Sequence, residues 1–186
     1  MEDINLFKTK DSIFLKVLKT KTDISMGCDG YLIDSSEKEA RNIIASLKDK
    51  KFNGVIVLVG GDDAFNRRAI ETLKIDYLVS PEKKVGKSNL KQRDSGINHV
   101  VAKLAIENNI NFIVDFSDIS GLNNRDKIAR IERIIQNVKI CRKVGCGIKI
   151  ASLALDKKNI TDKKGREAFG VSVGMSSSQS SGSIVF

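Results

Sequence analysis

The chain has 186 residues, 41% hydrophobic and 30% charged, which suits one globular domain with a proper core and leaves little chain for a second. Its 32 Lys and Arg against 23 Asp and Glu give a formal net charge of +9, a balance that favours a polyanionic partner. No apolar run approaches the roughly 20 residues that span a bilayer, the N-terminus lacks a signal-peptide pattern, and three cysteines are too few for a disulfide framework or a four-thiolate zinc site, so a reduced, cytoplasmic protein is expected.

The first thirty residues carry one strand or helix in "DSIFLKVLKT". After that, short β-branched runs at 30–33, 55–59, 77–79, 111–116 and 147–151 alternate with helical patterns at 36–50, 64–73, 95–109, 124–144 and 163–173. This alternation predicts βα units and a parallel sheet, either open or closed into a (β/α) barrel. The tail "GMSSSQSSGSIVF" ends on three strand-forming residues, so a short serine-capped helix followed by a strand is expected there rather than a flexible end.

Two helices can be phased. In 95–109, Ile97, Val100, Val101, Leu104 and Ala105 follow helical spacing, with Asp94 or Ser95 as the cap; His99, the chain's single histidine, and Lys103 then share the opposite face, His99 in the second turn. In 124–144, Ile128, Ile131, Ile135, Val138 and Cys141 form the expected core stripe and leave Arg125, Lys127, Arg130, Arg133, Lys139, Arg142 and Lys143 outside. A basic face of this kind is most often simply solvated.

In such folds functional groups gather in the loops that follow the strands. Asp62 or Asp63 is placed to cap the helix near Ala64, although a phosphoesterase could be built on Asp62, Asp63, Asp115 and Asp118 with a divalent metal. One histidine cannot supply a histidine-cluster metal site, and neither the P-loop nor the dinucleotide glycine pattern is present. The loops are instead rich in cations: Arg67 and Arg68, then Lys83, Lys84, Lys87, Lys91 and Arg93 ahead of a helix N-terminus, then Lys157, Lys158, Lys163 and Lys164, which together predict one basic rim. With two tyrosines, eight phenylalanines and no tryptophan there is little material for base stacking, so contact with backbone phosphates is the expectation. A helix that docks another protein, using Ile106 beside Lys103, is a further reading.

The block "DSGINHVVAKLAIENNINFIVDFSDI" (94–119) resembles the archaeal ribonuclease P protein component 3 family, relatives of the eukaryotic 30-kilodalton subunit; Asp94, Gly96, His99, Lys103 and Leu104 match residue by residue. Upstream, "NRRAIETLKIDYLVSP" (66–81) looks like the family's Asn-Arg-x-Ala…Val-Asp-x-Leu…Pro segment, with Asn66, Arg67, Asp76 and Pro81 in place. Downstream, residues 150–184 resemble its closing segment, but the family's Arg-x-Pro-x-Asp-Leu signature is degraded to "TDKKGREAF", where Lys163 and Lys164 give up bidentate phosphate geometry. The resemblance covers about 55–186, and the first fifty residues match poorly.

The resemblance implies a TIM-like α/β barrel related to polymerase-and-histidinol-phosphatase barrels, one domain over 1–186, with the completeness of its N-terminal portion left open. It implies a subunit of ribonuclease P with no catalytic residues, metal or cofactor of its own. The RNA subunit would use Mg²⁺ to remove the 5′ leader of precursor tRNA, and component 2 would be a protein partner. Loop position and family match together point to Arg67, Arg68, Lys83, Lys84, Arg93, His99, Lys103, Lys163 and Lys164 as the RNA-contacting residues.

Overall fold

A computed structural model describes residues 3–25, 27–84 and 94–181. The strands are β1 (Asp3–Asn5), β2 (Ser12–Leu18), and, from the five apolar runs, β3 (Gly30–Ile33), β4 (Val55–Val59), β5 (Tyr77–Val79), β6 (Asn111–Asp115) and β7 (Ile148–Ala151). The helices are α1 (Glu37–Asp49), α2 (Asp63–Thr72), α3 (His99–Glu107), α4 (Phe116–Ser120), α5 (Asn124–Val144), α6 (Lys163–Ser172) and α7 (Ser177–Ser181). Most helices begin where a side chain can take a free backbone N–H: Ser36, Asp62, Asn98, Asp115, Asn123 and Asp162 each accept one from the first turn.

Among the described residues the seven strands are all parallel and pair in chain order from β1 to β7. The strand period of two sorts their side chains into two cores. Ile13, Leu32, Val57, Val79, Ile113 and Ala151 meet inside, while Ile33, Leu58, Leu78, Phe112 and Ile148 pack outward against the helices. An inner cluster wrapped by the sheet is the mark of a TIM-like barrel rather than an open sheet.

The barrel has one seam without a strand ladder, between β1 and β7. There the segment after β7 runs beside β1: Leu153 N–H donates to Ile4 O at 2.9 Å and Leu6 N–H to Ala154 O at 2.9 Å. Side chains of β1 supply the alternate acceptors, Asp3 Oδ1 taking Ser152 N–H at 2.8 Å and Asn5 Oδ1 taking Ala154 N–H at 3.1 Å. From α6, buried Arg166 donates to Asp3 Oδ2 at 2.9 Å and also to Thr161 O. This is why β1 escapes a reading by hydrophobic pattern: its polar residues bond across the seam.

The five strands read from the sequence agree with β3 to β7 to within a residue, and β2 settles the segment left open between strand and helix, but two helices differ. The segment 95–109 is helical only over His99–Glu107, and its cap is Asn98, not Asp94 or Ser95. Gly96 is the reason, since its φ of +79° is left-handed and a right-handed helix cannot run through it. His99 is accordingly the first helical residue rather than a second-turn one. Val100, expected in the core, is 56% exposed, and Val101, Ala102 and Ala105 are buried instead. Six of the nine α3 residues are apolar, so spacing alone leaves its phase ambiguous. In α5 the buried stripe is Arg130, Ile134, Asn137, Val138, Ile140 and Cys141; Arg130, expected outside, is inside, and Ile128, expected inside, is 61% exposed. The serine-led helix near the end forms as α7, and the strand expected after it lies outside the described residues. No helix among the described residues is long and apolar enough to cross a membrane.

Candidate nucleic-acid interface

The residues that carry the family resemblance converge on one buried amide. Asn66 sits on the core side of α2, fully buried. Its Nδ2 donates to Pro81 O at 3.0 Å and Gly96 O at 3.1 Å, while its Oδ1 accepts Gly61 N–H at 2.8 Å. One side chain thereby ties together the loop after β4, the turn after β5 and the approach to α3. A Cβ on Gly96 would lie 1.9 Å from Pro81 O, so only glycine fits. From α5, buried Asn137 donates to Ser95 O at 2.8 Å and fixes the same approach from the other side. Asp76 acts elsewhere, its carboxylate accepting Ile56 N–H at 2.8 Å.

This knot sets the N-terminus of α3 beside α2 and α5 and leaves an open groove of about 720 Å³ between them. Arg67, His99 and Lys139 line it, with Asp63, Asp94 and Gln136. Ile97, Val101 and Ile140 supply its apolar floor. His99, Arg67 and Lys139 are exposed, as is Lys103 one helical turn beyond His99. Asp63 and Asp94 both line the groove, and burial together with the neighbouring Asp94 carboxylate pushes the Asp63 carboxyl up to about 6. The groove thus pairs cations at its edge with a carboxyl pair that holds a proton well above the usual carboxylate range.

The nine residues expected at the RNA surface fall into separate settings. Arg67 and His99 share the groove, with Lys103 beyond it. Arg68 faces α1, its Nη2 2.8 Å from Glu37 Oε2. Lys83 is 2.6 Å from Asp118 Oδ1 and Lys84 is 4.0 Å from Asp34 Oδ1. Lys163 and Lys164 begin α6 on the surface, and Lys163 lines a second groove of about 590 Å³ with Lys8, Lys10 and Lys157 beside the barrel seam. Arg93, with Lys87 and Lys91, lies outside the described residues.

Sequence reasoning finds Lys139 only as part of a basic helix face, Gln136 not at all, and Asn66 only as a family match. The signal for Asn66 is its position: a polar residue on the same stripe as Ala69 and Ile70.

The four aspartates of a metal-dependent phosphoesterase are each otherwise engaged. Asp62 caps α2 through Phe65 N–H at 2.7 Å, and Asp115 caps α4 through Asp118 N–H at 2.9 Å. Asp118 accepts from Arg130 at 3.0 Å and pairs with Lys83, while Asp63 faces the like charge of Asp94. Burial lifts the Asp115 carboxyl to about 6.

Comparison with known proteins gives the family. A solved structure, an archaeal ribonuclease P with mature tRNA, contains a chain with the same fold: TM-score 0.68 and 21% identity over 88% of this chain and 73% of that one. Ribonuclease P protein component 3 of Methanococcus maripaludis is 28% identical over 122 residues, 65% of this chain and 50% of the relative. The same protein of Methanothermobacter thermautotrophicus is 29% identical over 126 residues, 67% and 48% respectively. The chain therefore spans about half the length of the relatives it matches. The family model described as RNase P subunit p30 matches residues 32–185, which takes in α1 through α7 and every residue of the Asn66 knot and its groove, and the chain belongs to that family.

Proposed function

We propose that this chain is a protein subunit of ribonuclease P that binds and supports the catalytic RNA during removal of the 5′ leader from precursor tRNA. The observation that carries the reading is the groove: the residues matching the family build it, and they place Arg67 and His99 on one accessible edge with Lys139. Exposed cations set on rigid helices suit phosphate contact, in which charge and shape dominate over base readout. In this reading the RNA supplies the chemistry with its own Mg²⁺. The chain acts by positioning RNA, alongside component 2 and the other holoenzyme proteins. Arg67, Arg68, Lys83, Lys84, Arg93, His99, Lys103, Lys163 and Lys164 remain the proposed contacts. Arg67, His99 and Lys103 come first, because Lys83 is already committed to Asp118 and Arg68 to Glu37.

The test is precursor-tRNA cleavage by an archaeal ribonuclease P RNA with component 2 at limiting Mg²⁺, with and without this protein. Restored cleavage on addition, with none by the protein alone, supports the subunit reading. No effect on the RNA, together with metal-dependent hydrolysis of a simple phosphoester by the protein alone, overturns it.

A further inference from the structure

The C-terminus of α5 brings two thiols together. The helix stops at Gly145, whose φ is +80°, and the chain then folds back over the last turn. Gly145 N–H and Cys146 N–H both reach Cys141 O, at 2.8 and 3.0 Å. This left-handed closure sets the side chain after the glycine against one in the final helical turn, a contact that is apolar in most helices. Here both partners are cysteine. Cys141 is fully buried and Cys146 is 3% exposed, and both line a groove of about 460 Å³ with Arg142, Lys149, Ser176 and Gln179. The third cysteine, Cys28, lies elsewhere, beside Tyr31.

We propose that Cys141 and Cys146 are a redox-active dithiol, closed to an intrachain disulfide by a hydroperoxide and reopened by a thiol reductant. The closure sets the two thiols side by side, and Cys146, whose Sγ lies 3.8 Å from Gly147 O, is the more acidic of the pair: its neighbour Cys141 draws it below the usual thiol range, while Cys146 and burial push the Cys141 thiol up. Cys146 is therefore the attacking sulfur. Its thiolate attacks one peroxide oxygen and the O–O bond breaks. Cys146 sulfenic acid forms, and the departing oxygen takes up a proton and leaves as water from hydrogen peroxide, or as the alcohol from an organic hydroperoxide. The Cys141 sulfur then displaces the sulfenic oxygen, which leaves as water with the Cys141 proton. Two electrons from the sulfur pair reduce one peroxide, and the new S–S bond ties the end of α5 to the start of β7. The site does not depend on the RNA-binding reading, and it lies where α5 turns into β7 rather than at the N-terminus of α3.

The full chain should be treated with hydrogen peroxide, alkylated in denaturant and digested with trypsin without reductant. Cleavage after Lys139, Arg142, Lys143 and Lys149 separates the two cysteines, so a disulfide appears as peptide 140–142 joined to peptide 144–149, lighter by two hydrogens than the separate pair. That species should be lost on reduction and absent from Cys146→Ser. Cys141→Ser should instead hold a sulfenic acid at Cys146, trapped by a cyclic dicarbonyl probe. Full alkylation of both residues at peroxide doses that oxidise Cys28 would overturn the proposal, as would bridging of either one to Cys28.

Discussion

Arg130 and Arg67 lie on α5 and α2, the helices that flank α3, and the sequence reads both as exposed cations, one on a basic helix face and one on a basic rim, yet they do opposite things. Arg130 has a side chain 9% exposed; it donates to Asp118 Oδ2 at 3.0 Å and reaches Glu82 Oε1 at 3.5 Å, while Arg133 beside it contacts Glu82 O. Arg67 has a side chain 59% exposed, and it pairs locally with Glu71, four residues along α2. A carboxylate that is itself buried, Glu82, makes Arg130 structural. A partner one turn away leaves Arg67 on the surface, where the pair is worth about 0.3–0.5 kcal/mol and yields readily to a phosphate. The node around Arg130 anchors the turn after β5, and Arg67 stays on the surface, as the proposed RNA contact requires.

The contrast between the two arginines breaks most sharply at Arg130. Arg130→Met keeps the volume but strands Glu82 and Asp118, so urea unfolding at pH 8 should show a loss of roughly 3–5 kcal/mol. A loss under ~1 kcal/mol would mean that the guanidinium is a surface group after all. Below pH ~4.5 the deficit should shrink, because Glu82 is then neutral in both the folded and unfolded chain.

Glu82 sharpens the same contrast from the other side. It is fully buried, and burial, only partly offset by Arg130, lifts its carboxyl from 4.5 to about 7. The folded state thus holds this proton more tightly than the unfolded chain does. The Glu82 contribution to stability is whole below pH ~4.5 and falls as pH rises toward 7, by an amount on the order of 3 kcal/mol. Glu82→Gln cannot ionise, so its stability relative to the parent should climb over that window. Parallel pH profiles for the two proteins would refute the buried ionisation; Asp63 and Asp115, which titrate in the same direction, cancel in the difference.

The same node marks the limit of what the sequence could reveal. Strands 30–33, 55–59 and 77–79 were legible to the residue because β-branched runs buried on both faces leave little choice. The faces of α3 and α5 were not. Arg130 and Asn137 sit in the core on account of Glu82 and Ser95, partners 48 and 42 residues away that no helical period encodes. β1 failed for a related reason, since Asp3 and Asn5 are polar in order to bond across the seam. For the groove, the family match found Asn66, Gly96 and His99, whereas Lys139 joins them only through the crossing of α3 and α5.

On the rim the expected effects move from stability to binding. Replacing Arg67, Lys103 and Lys139 together by Ala should leave urea unfolding within about 0.5 kcal/mol of the parent. It should also lower affinity for ribonuclease P RNA, and flatten the log–log salt dependence by roughly 0.7–0.9 for each phosphate that the protein no longer neutralises. An unchanged salt slope would move the RNA surface away from this groove, and the lysines beside the seam would be the next to test.

The smallest effect separates two adjacent residues at the start of α3. Asn98 has a structural role, its Oδ1 accepting Val101 N–H at 2.9 Å, so Asn98→Ala should cost about 1 kcal/mol of stability. His99 is exposed at the first helical position, where the helix leaves N–H groups free to meet an anion. His99→Ala should leave unfolding within about 0.5 kcal/mol and weaken RNA binding by about 1 kcal/mol, roughly fivefold, measured at one fixed salt concentration. If His99→Ala instead destabilises the fold as much as Asn98→Ala, the ring is part of the knot that Asn66 ties. The accessible edge would then belong to Arg67, Lys103 and Lys139, and the match at position 99 would reflect folding rather than RNA contact.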